Sequence, residues 1–109
     1  MSMKTLGKLT LVAAGTPQQF TTAQTNCRGF FIETVLGNTL DVYIGNAALV
    51  KATLAGCFRV IPAPTATTGG TVLFPAWDHV GDVAGPFDLS TFYWDGDHTG
   101  DSILVSYVT

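Results

Sequence analysis

With 109 residues and a mass of 11.5 kDa, the chain has room for one compact domain, residues 1–109. Its composition is 47% hydrophobic and only 12% charged, about half the usual share of charge, which excludes an intrinsically disordered chain. The net charge of −3 and a pI near 4.9 exclude a nucleic-acid binder held by phosphate neutralisation.

From the N-terminus, Lys8-Leu9-Thr10-Leu11-Val12 alternates, with Leu9 and Leu11 on one face, and stops at Gly15-Thr16-Pro17. The apolar stretch here is too short for a signal peptide, and no window is long enough for a membrane helix. Arg28 to Leu36 is rich in β-branched and aromatic residues. Leu40, Val42 and Ile44 share a face of the next run. Gly37-Asn38-Thr39 between the two reads as a short hairpin connection. Asn46 to Gly56 has a helix-capping residue, helix formers and a terminal Gly, but no 3.6-residue stripe; it is expected to be a loop with a helical turn.

Phe58 to Ile61 breaks at Pro62-Ala63-Pro64, and Pro62 to Gly70 reads as a mobile loop within the domain. Thr71 to Phe74 is a further short run. Phe92-Tyr93-Trp94 and Ser102 to Val108 read as a last strand pair around the loop from Asp95 to Asp101. Runs of this length and spacing predict an all-β chain: a single β-sandwich, jelly-roll-like or immunoglobulin-like, with short strands and long loops. Leu9, Leu11, Phe31, Val42, Ile44, Ile103 and Val105 are the expected core.

Candidate chemistry is sparse. Asp95, Asp97, Thr99 and Gly100 match the first half of a calcium loop, but Ser106 stands where its bidentate Glu should be, so a polar turn is expected and no metal. Asp95 and Asp97 have no evident apolar pocket to raise one pKa for acid catalysis. His79 and His98 could serve as bases, yet no nucleophile motif accompanies them. No catalytic residue, cofactor or metal site is assigned, and the chain is expected not to be an enzyme. Cys27 and Cys57, thirty positions apart, have neither metal-ligand spacing nor a disulfide framework around them. Two small buried hydrophobes are the favoured reading, with a single Cys27–Cys57 bridge as the alternative.

Trp77, Phe87, Phe92, Tyr93, Trp94 and Tyr107 concentrate rings beside Asp residues in the last third of the chain. Such rings fill a core or an intersubunit seam, or else stack on sugars. Alternation puts Phe92 and Trp94 on one strand face and Tyr93 on the other, so at least one ring should leave the core. Trp77, Tyr93 and Trp94 are the candidate interface residues.

The ending Phe87-Asp88-Leu89-Ser90-Thr91-Phe92-Tyr93-Trp94-Asp95-Gly96-Asp97, then Thr99 to Tyr107, resembles the close of many small structural proteins of tailed bacteriophages. Gly37-Asn38-Thr39 followed by Val42-Tyr43-Ile44-Gly45 is similar to a segment in their middle, and a strand ahead of Gly15-Thr16-Pro17 is shared. Trp94 and Gly96 stand where those proteins more often carry an aliphatic residue or Ala. The resemblance implies a β-sandwich assembled on a virion in the host cytoplasm, with no membrane or nucleic-acid partner. Its expected role is a capsid decoration (cement) protein, commonly a homotrimer, bound to the major capsid protein or other virion proteins. Free thiols at Cys27 and Cys57 would follow from such an intracellular assembly. A tail, fibre or adaptor component is the near alternative, and a carbohydrate-binding, lectin-like module the distant one.

Overall fold

The computed structural model describes residues 2–35, 39, 41–61, 71–75 and 87–109. Among the described residues ten strands follow in order: β1 (Met3–Thr10), β2 (Gln18–Gln19), β3 (Asn26–Cys27), β4 (Gly29–Thr34), β5 (Val42–Val50), β6 (Ala55–Ile61), β7 (Thr71–Pro75), β8 (Phe87–Asp88), β9 (Tyr93–Gly96) and β10 (Ser102–Val108). The one helical element among the described residues is a 3-10 turn, Leu89–Thr91. Asp88 caps it, accepting from the Ser90 amide at 3.0 Å and the Ser90 hydroxyl at 2.8 Å.

The pairing pattern is nested. β1 pairs with β10, β2 with β9, β3 with β8, β4 with β7 and β5 with β6, all antiparallel. The chain is therefore one long hairpin whose tip is the turn at Lys51–Leu54. Two further pairings, β10 with β4 and β9 with β5, roll this hairpin into two four-stranded sheets, with β3 and β8 as a separate two-stranded one. The four-stranded orders are β1-β10-β4-β7 and β2-β9-β5-β6. Among the described strands only β5 and β6 are both consecutive and adjacent, whereas an immunoglobulin sandwich uses several such hairpins. The architecture is a jelly roll.

Residues of both sheets meet in the core. Phe30 and Ile32 of β4 and Ile103 and Val105 of β10 face Val42 and Ile44 of β5, Ile61 of β6 and Trp94 of β9. Each such side chain contributes roughly 1.5–3 kcal/mol by leaving water. At one end Phe30 packs edge-on against Phe92 and Phe87, with ring centroids 4.9 and 5.4 Å away. A bulge in β1 shifts the register between Thr5 and Gly7. Gly7 adopts φ +78°, a conformation that suits glycine. The Thr5 hydroxyl holds the bulge, accepting from the Gly7 amide and donating to the Val105 carbonyl.

The structure corrects several expectations. Asn46 to Gly56 is the end of β5, a turn and the start of β6, because pairing with β6 and β9 overrides its local helix signals. The strands flanking Gly37-Asn38-Thr39 form no hairpin: β4 lies in one sheet and β5 in the other. β9 and β10 likewise belong to different sheets. Turn residues mark where a chain reverses, but not which sheet receives the next strand. Phe31 is half-buried on the outer face, and Phe30 and Ile32 take the core positions. Leu9 is half-buried, while Leu11, Val42, Ile44, Ile103 and Val105 are buried as expected. The loop Pro62 to Gly70 lies outside the described residues.

Candidate functional site: an interaction surface

The acidic turn between β9 and β10 acts as a structural clasp. Asp95 is buried, and its Oδ1 accepts from the Gly15 amide at 2.9 Å and the Gly96 amide at 2.7 Å. Asp101 is also buried; its two oxygens take the Thr39 amide at 3.0 and 3.1 Å, and His98 Nδ1 lies 3.3 Å from Oδ1. Asp97 stays exposed, accepts from the Tyr43 hydroxyl at 2.9 Å and pairs with Lys51 at 3.1 Å. Lys51 also donates to the Gly96 carbonyl at 2.8 Å. Its hydrogen bond to Asp97, with burial second, pushes the Tyr43 phenol up to about 12. These carboxylates tie the loop after Leu11, the segment before β5 and the hairpin tip to one corner of the sandwich. No group of three or more metal-ligating side chains is gathered among the described residues.

The expected interface rings separate. Trp94 is fully buried, so the structure corrects its place from surface to core. Its Nε1 has no hydrogen-bond partner among the described residues. Tyr93 is half-buried on the opposite face of β9. Trp77 and His79 lie outside the described residues. Both cysteines are free thiols. Cys27 is buried, which pushes its thiol up to about 11, and Cys57 is half-buried, donating to the Arg59 carbonyl.

Larger apolar surface lies where the sequence did not point. Val50, Leu54, Phe58 and Val60, each between 41% and 51% exposed, surround the tip and outer strand of the β5–β6 hairpin. β6 is the last strand of its sheet, so among the described residues its second edge has no partner strand. Leu54 holds φ +61°, a strained conformation for a leucine. Phe58 packs edge-on against Phe92 at 5.7 Å while half of it remains in water. Pro62, directly after β6, is the one sequence feature consistent with an edge strand there.

No protein-family model, curated protein or solved structure matches this chain significantly. Its surface is therefore read from its own residues.

Besides a smaller hollow along Leu54, Phe58 and Val60, two shallow hollows lie among the described residues. One, of about 390 Å³, lies between Pro17 and Leu49–Ala52, with Asp95 in its wall. Asp95 Oδ1 is already turned onto the two backbone amides there. The other, of about 320 Å³, lies on the outside of the first sheet between Met3, Phe31, Glu33, Leu104 and Ser106.

Proposed function

We propose that this chain is a virion structural protein, a capsid decoration subunit that binds a phage head in several copies, three by the resemblance. The observation that carries this reading is an exposed apolar edge hairpin on a jelly roll. Jelly rolls recur in capsid and lectin domains, but the fold by itself assigns no role. Val50, Leu54, Phe58 and Val60 give the fold a surface that a monomer would keep covered. A subunit gripping a lattice needs such a surface and needs no reactive pocket. The phage resemblance of the chain end supplies the particle. Low charge limits repulsion among crowded copies.

The sugar reading has less support, because Trp94 offers no ring face for a sugar to stack on. The test is cryo-EM of the particle encoded with this chain. The jelly roll is expected at repeated positions on the shell, with the β5–β6 hairpin against the capsid protein. Phe58→Asp should release the chain from the shell while it stays folded. Purified particles lacking the chain would overturn the proposal, and selective retention of one glycan on an array would move it to the lectin-like module. Density at a tail or fibre would relocate the subunit on the same particle.

A further inference from the structure

We propose that the outer face of the β1-β10-β4 sheet receives a second copy of this chain, related by a twofold axis running along β10. Ile103 and Val105 point into the core, as do Phe30 and Ile32, so the alternate residues of β10 and β4 face outward. Residues directly opposite in an antiparallel ladder share a face. The registers then define three outward rows across β1, β10 and β4. They are Met3–Val108–Gly29, Thr5–Ser106–Phe31 and Lys8–Leu104–Glu33.

A twofold axis along β10 keeps each row and exchanges β1 with β4. Every row is complementary under that exchange. Lys8 meets Glu33 of the second copy, and Glu33 meets its Lys8, so two ion pairs flank a Leu104–Leu104 contact. Phe31, the large residue of its row, meets Thr5. Met3, 63% exposed, comes to the Val108–Gly29 end of the second copy's row. The arrangement carries Met3, Val108, Phe31 and Leu104 as apolar residues around Ser106, with the charges at one end. The ion pairs select orientation more than they add affinity.

Seven residues at about 3.4 Å and the three strands β1, β10 and β4 about 4.8 Å apart make a face of roughly 340 Å². That is below the ~800 Å² per partner of a standard interface, so a dissociation constant in the micromolar range is expected. The pairing does not depend on the virion reading: purified protein forms it in solution whether or not the chain binds a shell. A threefold contact elsewhere on the surface would combine with it into a hexamer.

Sedimentation equilibrium over roughly 5 to 300 µM tests this. The expected mass at the upper end is twice 11.5 kDa, or a higher even multiple. Lys8→Glu and Glu33→Lys should each weaken association by about tenfold or more, and the two together should restore it. Leu104→Glu, at a site already 39% exposed, should abolish pairing without loss of fold, as checked by circular dichroism. A species that stays at 11.5 kDa throughout overturns the proposal. So does association that ignores these variants, or a double reversal no better than its singles.

Discussion

Gly45 and Gly56 approach so closely across the β5–β6 ladder that a Cβ on Gly45 would fall against the Gly56 carbonyl oxygen. The contact sits where the register shifts, between the Ile44–Arg59 and Gly45–Cys57 pairs. Gly56 adopts φ +68° there. Both residues are needed for the bulge that shapes the hairpin tip. Gly45→Ala is expected to cost about 2 kcal/mol or more, lowering the melting temperature by roughly 10 °C. Gly96→Ala is the control: its Cβ would meet the movable Leu11 Cδ2 at 3.2 Å, so a smaller fall is expected. Equal melting temperatures for Gly45→Ala and the parent would show that the hairpin arms separate freely.

Phe30 and Phe31 are adjacent, and their truncations should differ sharply. Phe30 is fully buried among Phe20, Phe87 and Phe92, so Phe30→Ala should cost about 3–5 kcal/mol, a large part of a small domain's stability. Phe31 lies half-buried on the outer face, and Phe31→Ala should cost about 1 kcal/mol or less. Denaturant titration of the two variants measures the difference. Comparable losses would place both rings in the core.

The Phe30–Phe31 pair also explains what was legible in the sequence. An all-β sandwich follows from run length and turn residues, and β10 from the alternation in Ser102 to Val108. In Phe30-Phe31-Ile32 every residue is apolar, so period two does not choose a face. Glu33 does: a charge at that position sends Phe31 outward with it. Topology was less accessible. β2, β3 and β8 have two residues each, too few for a pattern, and the nested pairing brings together residues as distant as Met3 and Val108. The exposed hairpin surface was missed because Phe58-Arg59-Val60 reads equally as an inner or an edge strand. Trp94 lies in the core rather than at the surface for a related reason. A ring on a strand has two faces to choose from, and the partner sheet decides.

Asp88 predicts acid sensitivity. Hydrogen bonds from the Thr25 amide, then from the Ser90 amide and hydroxyl, hold its carboxyl below the ordinary 3.8. A depressed folded pKa means the contribution is present above the ordinary value and is lost as pH falls through the lower folded one. Asp88→Asn should therefore flatten the fall in stability below about pH 4, followed by melting temperature against pH. An unchanged acid limb would show that Asp88 does not couple protonation to folding.

The clasp formed by Asp95 and Asp101 predicts indifference to calcium. Asp95 Oδ1 and both Asp101 oxygens already accept backbone amides, and Asp97 engages Lys51 and Tyr43. A cation at this turn would compete with those bonds. Millimolar calcium should leave the melting temperature within about 1 °C, since binding to the folded state alone would raise it. A rise of several degrees would establish a calcium site. Asp101→Asn should lower stability with or without calcium, because it weakens the bond to Thr39.

Tyr43 and Asp97 give a test at the opposite end of the pH scale. Tyr43 donates to Asp97, and ionising the phenol would remove that proton and leave two anions in contact, with burial as the second cause opposing charge. Its pKa, pushed up to about 12 from 10, makes the bond's contribution complete below pH 10 and lost as pH rises through 12. Ultraviolet titration should therefore show a tyrosine step near 12. Asp97→Asn removes the negative charge and should bring that step back toward 10. Lys51→Met should leave the Tyr43–Asp97 bond standing and the late step in place. A late tyrosine unaffected by Asp97→Asn would assign the shift to burial alone and remove Asp97 as the link between β5 and the acidic turn.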